Sequence, residues 1–217
     1  AQIRGLELLL KGDFGEIKSE QKELLQMVLD SCKYMKGMLS SLLETYRNYG
    51  GVIKLNFEDF SLLNLIEECV SEMTYVAKDK DIMILVNKDI KNDIVNADRV
   101  QIKRVIMNLL SNGIKYAYKE TILNLFLYTE KDKVCFKFEN NSPFIPEDKQ
   151  KGLFAQYVSY ASTHKELGIG LGLYASKKII EGHNGNIFVK SYKENKNTFG
   201  FKIPQKQSHA SYKEICF

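Results

Sequence analysis

Two asparagines four residues apart, Asn108 and Asn112, stand inside a stretch with the apolar spacing of a helix, "RVQIKRVIMNLLSNGIKYA". Asparagine is a poor interior helix residue because its amide competes for the backbone, so such a pair has a cost that wants a reason. Measured from Asn108 at about 100° per residue, Arg104, Asn112 and Lys115 fall within about 40° on either side and make one polar stripe. Ile102, Val105, Ile106, Leu109, Leu110, Gly113 and Ala117 take the opposite arc and face a core. Two readings fit the stripe. It is a solvated face, or it supplies a carbonyl-oxygen ligand to Mg²⁺, which accepts one or two protein ligands and takes its remaining oxygens from water and phosphates. In the second case Lys115, one turn on, meets a phosphate as a point charge.

The second chemical signal is "KELGIGLGLYASKKI" (Lys165 to Ile179), with Gly168, Gly170 and Gly172 at alternate positions before an amphipathic run. "GLGLYA" formally matches the dinucleotide pattern G-x-G-x-x-A, but the polar "YVSYASTHKE" before it is no strand and no parallel βαβ unit surrounds it. The phosphate-loop pattern G-x-x-x-x-G-K-[ST] is absent too. What is left is a glycine loop feeding a helix N-terminus, where backbone amides can approach an anion and the helix dipole favours negative charge. A plain turn and helix start is the competing reading. Together with the asparagine helix, the loop supplies phosphate amides opposite a metal site.

These residues need elements to hold them. Residues 19 to 47 place Leu25, Val28, Cys32, Met35, Leu39, Leu42 and Tyr46 at alternating steps of three and four, a heptad seam. Leu24, Met38 and Leu43 widen it to the stripe of a helix bundle. "AQIRGLELLL" opens on helical spacing without a cap and "KGDFGEIKSE" reads as a turn, so the two helices should form an antiparallel hairpin whose first helix is truncated. After Gly50 and Gly51 the pattern changes. "VIKLNF" and "DIMILVN" read as strands around a helix capped by Ser61, with Leu62, Leu65, Ile66, Cys69, Val70 and Met73 buried. Asp98 caps the asparagine helix. "TILNLFLY" with "KVCFKFE", and "GNIFVKS" with "TFGFKIP", read as β-hairpins, and "QSHASYKEICF" as a frayed tail. The expected architecture is α+β: a helical hairpin over residues 1–49, half of a dimeric four-helix bundle, then a two-layer sandwich over 52–205 and a tail over 206–217.

Composition narrows the function classes. Lys plus Arg exceed Asp plus Glu by only 31 to 27, with no basic stripe, so nucleic acid is not an expected partner. Cys32, Cys69, Cys135 and Cys216 form no CxxC pair, which leaves zinc and thiol redox chemistry unsupported and suits a reducing, cytoplasmic compartment. No apolar run reaches the roughly 18 residues of a membrane span, so any membrane attachment is expected through segments outside this chain.

"NLLSNGIKYA" resembles the N box, and "GIGLGLYASKKIIEGHNGNI" the second glycine box, of the ATP-binding domain of sensor histidine kinases, members of the Bergerat-fold (GHKL) ATPases. The order and separation of the boxes fit as well. "AQIRGLELLLKGDFGEIKSEQ" resembles the dimerisation and phosphotransfer hairpin just after the phosphoacceptor box, so that histidine is expected upstream of Ala1. The resemblance implies a sandwich of Bergerat type, ATP and Mg²⁺ as ligands, Asn112 as metal ligand and Asn108 as its partner. Lys115 then contacts phosphate and Tyr116 lies against the purine. Gly168, Gly170 and Gly172, with Leu171 and Leu173 between and after them, form the phosphate-facing loop, and Asn140 and Ile145 belong to the adenine side. It further implies a homodimer through the hairpin, and phosphoryl transfer from ATP to the histidine and then to an aspartate of a response-regulator receiver domain.

Three departures qualify what the resemblance implies. The adenine box, usually D-x-G-x-G followed by I-P, is here "NNSPFIP": Asn140 replaces Asp, and Ser142 and Phe144 replace glycines. An amide oxygen still accepts from the adenine amine but loses charge-assisted strength. In "FAQYVS", Phe154 and Tyr157 fit the motif before the lid, whereas Ser159 replaces its arginine, leaving Lys165 or His164 to supply a cation. The phosphoacceptor histidine is absent from the chain. His183 is expected to be structural, at a helix C-terminal turn where partial positive charge suits the dipole, and His209 lies in the tail. The alternative reading is a degenerate kinase serving as a non-catalytic phosphorelay scaffold or regulatory binding module.

Overall fold

A computed structural model of the chain describes residues 2–15, 17–19, 21–29, 31–32, 52–155, 171–206 and 212–216. The chain divides into two compact units, one on the amino-terminal helices and one holding every described residue from 52 onward. In the first, helix α1 (Gln2–Lys11) stops at Gly12, whose φ of +86° is the left-handed conformation that glycine adopts at a helix end. Its amide donates to the Leu9 carbonyl at 3.0 Å. Residues 21–29 form α2. There Leu29 is buried and Leu25 half-buried, while Leu24 and Val28 are exposed, so the buried line runs through Leu25 and Leu29, one turn apart, and misses the expected Val28. The rest of the expected heptad seam, from Met35 to Tyr46, lies outside the described residues.

The second unit begins with strand β1 (Val52–Asn56), then β2 (Glu58–Ser61) and helix α3 (Leu62–Lys78). The reading of "VIKLNF" as one strand therefore misses a break at Phe57 and the second short strand beyond it. Ser61 caps α3 as expected, its hydroxyl accepting from the Asn64 amide at 3.0 Å and donating to Asp93. Strand β3 (Met83–Asp89) starts two residues later and ends two later than expected, and β4 (Ile94–Ala97) was not foreseen. It pairs antiparallel with β2. Helix α4 (Arg99–Tyr116) is followed by the hairpin β5 (Ile122–Glu130) and β6 (Lys133–Asn141), the short α5 (Glu147–Gly152), and helix α6 (Gly172–Gly182). A second hairpin, β7 (Asn186–Tyr192) and β8 (Lys196–Pro204), completes the main sheet.

That sheet has the order β3-β5-β6-β8-β7, with β3 parallel to β5 and every other pair antiparallel. Helices α3, α4 and α6 cover one face of it. The registers line Leu125 with Phe138 and Phe136 with Phe201, all buried, and these rings and leucines form the layer between sheet and helices. Each such side chain contributes about 1.5–3 kcal/mol of burial free energy. At Gly113 of α4 helix and sheet approach closely: a Cβ there would lie 2.9 Å from the Phe138 ring.

The expected frayed tail is instead partly a strand. β9 (Tyr212–Cys216) pairs antiparallel with β1 along its whole length, and Ile215 is buried. The reason is an apolar seat that no local pattern shows, formed by Gly182 and Leu55, whose atoms a Cβ at Gly182 would meet at 2.5 Å (Ile215 Cγ2) and 3.0 Å (Leu55 Cδ1). Among the described residues, no helix is long and apolar enough to cross a membrane.

Candidate functional site

The polar stripe of α4 is held from both ends of its helix. At the amino end Asp98 is buried, its Oδ1 accepting from the Gln101 amide at 2.9 Å and its Oδ2 from the Asn56 amide at 2.9 Å. Its own N–H donates to Nε2 of His183 at 2.9 Å, while Nδ1 of that ring sits 2.8 Å from the Ile179 carbonyl. A carbonyl only accepts, so Nδ1 carries the proton, and Nε2, as an acceptor, carries none. His183 is structural as expected, but it is neutral, and its role is a hydrogen-bonded bridge from α6 to the cap of α4 and not the charge–dipole contact anticipated. On the flank Glu68 bridges Arg99 and Lys103, and Lys103 also reaches Glu72. Hydrogen bonds from Lys103 and Arg99 hold the Glu68 carboxyl below its ordinary range, and Glu68 and Glu72 hold the Lys103 ammonium above its own. At the carboxyl end Lys80 donates to the carbonyls of Ile114, at 3.3 Å, and Lys115. These are the carbonyls a helix leaves unpaired, and a cation there also suits the dipole.

Asn108 ties this helix to the start of α6. Its Nδ2 donates to Ser176 Oγ at 3.0 Å, and Ser176 donates to the Gly172 carbonyl at 2.9 Å. A Cβ at Gly172 would fall 2.5 Å from Asn108 Oδ1. The glycine is therefore demanded by the asparagine of α4, a reason independent of any phosphate. Asn112, one turn on, is half-exposed and has no hydrogen-bond partner among the described residues. Lys115 lies with its ammonium 5.0 Å from the centroid of the neighbouring Tyr116 ring, and both residues are half-buried. Leu171 is buried at the N-cap of α6 and Leu173 half-buried. Lys165, Gly168 and Gly170, with Tyr157, Ser159, His164 and His209, lie outside the described residues.

Asn140 is 2% exposed, and its Nδ2 donates to the carbonyl of Gly113 at 2.8 Å. Ser142 donates to its Oδ1 at 3.2 Å, and Asn197, directly opposite Asn140 on β8, donates to Ser142 at 2.5 Å and to the Pro143 carbonyl at 2.9 Å. The donors run in one direction, from Asn197 through Ser142 and Asn140 to α4. Ser142 and Asn197, buried like Asn140, were not singled out from the sequence as network members, because only the β6–β8 register brings position 197 beside position 140. Asn197 Oδ1 has no partner among the described residues. Ile145 donates its N–H to Ser191 at 2.8 Å and accepts from Gln150 at 2.7 Å, so its backbone is pinned at the edge of the sheet. Phe154 is half-buried and Phe144 exposed.

Two helices are thus tied through Asn108 and Gly172, and a sheet end is tied to α4 through Asn140. A family model described as histidine kinase-, DNA gyrase B- and HSP90-like ATPase matches residues 97–207, slightly more than half of the chain. The chain belongs to this ATPase family. Among curated proteins, it is 31% identical over 188 residues to the adaptive-response sensory kinase SasA of Microcystis aeruginosa, covering 85% of this chain and 48% of that one. It is 26% identical over 201 residues to the circadian input-output histidine kinase CikA of Synechococcus elongatus, covering 91% and 27%. The chain thus spans half or less of the length of these two relatives. Among solved structures, the catalytic domain of histidine kinase ThkA superposes with a TM-score of 0.61 at 29% identity, over 70% of this chain and 97% of that domain. The fold is the Bergerat fold, and the second unit is the catalytic ATP-binding domain of the sensor histidine kinase type. A structure of ThkA in complex with the response regulator protein TrrA shares the fold with a TM-score of 0.70 at 23% identity, over 94% of this chain and 59% of that one.

Proposed function

We propose that this chain is the catalytic core of a sensor histidine kinase, binding Mg·ATP for transfer of the γ-phosphoryl group to a histidine upstream of Ala1 and then to a response-regulator aspartate. The observation that carries the reading is the pairing of the half-exposed, unpartnered Asn112 with an Asn108 that fastens the same face of α4 to the glycine-led start of α6. Amide oxygens are hard ligands that suit Mg²⁺, which takes its other oxygens from phosphates and water. When bound, the metal neutralises phosphate charge. In this reading Asn112 is its ligand and Asn108 the partner that fixes the helix beside it. Lys115 contributes a point charge to phosphate, and Tyr116, Asn140 and Ile145 line the purine side. Gly168, Gly170, Leu171, Gly172 and Leu173, with Lys165, form the phosphate-facing loop. Phosphoryl transfer asks the protein for positioning and charge stabilisation more than covalent chemistry, and a rigid pair of tied helices supplies the first. The proposed organisation is a dimerisation and phosphotransfer hairpin over residues 1–49, which makes a homodimer, and the ATP domain over 52–205. The proposed partner is a receiver domain, by analogy with the ThkA complex.

One observation favours the second reading, a degenerate kinase acting as a scaffold. Asn140, at the adenine position, is closed into an internal chain of hydrogen bonds. Calorimetric titration with a non-hydrolysable ATP analogue, with and without Mg²⁺, separates the two. Mg²⁺-dependent binding that is lost in Asn112→Ala supports the kinase, and no binding at millimolar analogue removes it and leaves the scaffold.

A further inference from the structure

β1 is the first strand after Gly51, and β9 covers it residue for residue: Val52 opposite Cys216, Ile53 opposite Ile215, Leu55 opposite Lys213 and Asn56 opposite Tyr212. This ladder is separate from the five-stranded sheet. Two contacts bind it to α6 and α4, and a third ties those two helices to each other. Ile215 is seated over Gly182, where a Cβ would lie 2.5 Å from Ile215 Cγ2, and Leu55 is fully buried beside it. The Asn56 amide donates to Asp98 Oδ2, and the other oxygen of the same carboxylate caps α4 through Gln101. His183, next to Gly182, accepts the N–H of Asp98.

We propose that β9 is a releasable clasp on β1, and that the Asp98 carboxylate carries its state to the first turn of α4. A two-stranded ribbon is marginally stable by itself, so its order depends on the anchor at Ile215 and not on its ladder. Its opening is a local event, below the global unfolding free energy that the main sheet sets. With β9 away, β1 keeps no ladder partner among the described residues, Asn56 loses its fixed position, and Asp98 must hold the α4 cap alone. The clasp is thus a conformational device that couples the strand entering this unit to the helix bearing Asn108 and Asn112.

Hydrogen exchange on the whole chain tests it with two variants on different elements. Ile215→Asp removes the anchor, and Gly182→Ala fills the seat while leaving β9 unchanged. Because the Asn56 N–H is turned toward Asp98, strand alternation puts the Leu55 N–H on the β9 side. The expected result in both variants is exchange faster by about tenfold or more at Leu55, Asn56 and Gln101, with Leu125 and Phe138 unchanged. Unchanged exchange at Leu55, a rise at Leu55 without Asn56 and Gln101, or an equal rise at Leu125 and Phe138 overturns the proposal. A consequence for affinity rests on the proposed function, since only then does α4 bear the metal side chains: both variants should bind the Mg·ATP analogue several-fold more weakly. A wild-type chain that binds no analogue would remove that function and leave the exchange result standing.

Discussion

Restoring the aspartate that the resemblance implies at position 140 should harm this protein. Asn140 is almost wholly buried and donates to the Gly113 carbonyl at 2.8 Å, a bond only the amide nitrogen can make. In Asn140→Asp that nitrogen becomes an oxygen. An ionised carboxylate would then face a carbonyl oxygen at hydrogen-bond distance, with only the Ser142 hydroxyl to solvate it. A buried acceptor left without its donor costs about 1–3 kcal/mol, and a buried unpaired charge more, so the ionised variant should lose about 3–4 kcal/mol. Protonation repairs the contact, because a neutral carboxyl can donate to Gly113. The folded-state pKa of the new Asp is therefore raised above the unfolded value of about 3.9. The sign follows: above the unfolded value the native state binds more protons than the unfolded state, so stability relative to wild type falls as pH rises. Urea unfolding at pH 4.5 and pH 8 measures this, and for a slope of about 1–3 kcal/mol per molar the midpoint difference at pH 8 should exceed about 1 M. A variant as stable as wild type at both pH values would show that Asn140 does not donate to Gly113 and that the network is wrongly drawn.

Gly172→Ala places a methyl 2.5 Å from Asn108 Oδ1 and should cost about 1–3 kcal/mol in thermal or urea unfolding. Adding Asn108→Ala should recover part of that loss, because the two positions share one contact, and additive losses would refute the strut. Burial tends to raise the Glu139 carboxyl, but hydrogen bonds from Lys137 and Lys196 overcome it and hold the group below its ordinary value. Stability from this group is present above the unfolded pKa and is lost as pH falls through the folded one, so Glu139→Gln should cost roughly 1 kcal/mol near pH 7 and nothing once both states are protonated. Nitrogen-15 spectra should show His183 as the neutral Nδ1–H tautomer, and His183→Ala should cost about 2–4 kcal/mol, since it strands the Asp98 N–H and opens a cavity. A protonated Nε2 would contradict the bridge.

Much of the frame was legible because its signals are local. Ser61 and Asp98 announced helix starts because each is a short polar side chain that can accept an amide of the turn that follows it. The buried arc of α4 followed from a period of 3.6, and all seven residues assigned to it are buried. The two hairpins followed from alternation around short polar turns. β2 and β4 did not, because each is four residues long and exists only by pairing with the other across 33 or more positions of chain. The same holds for the site. Asn108, Asn112 and the glycine run stand out as residue types misplaced for helix or loop propensity, so a sequence shows them.

What the sequence could not show is which partner each one has. Asn108 read as part of a solvated face or of a metal site, with no partner named; the tertiary structure gives it Ser176 and presses it on Gly172. Asn140 read as a weakened aspartate, whereas the register of β6 on β8 sets Asn197 opposite it and closes the amide into a network. His183 read as a charge at a helix end, and the fold made it a neutral bridge to Asp98, 85 residues away. The last strand read as a tail because its five residues have no stability of their own until Gly182 and Leu55 give Ile215 a seat. Propensity, capping and periodicity act over one or two turns and are written in adjacent residues. Hydrogen-bond partners and apolar seats are chosen by packing between distant segments, and packing exists only once the chain has folded.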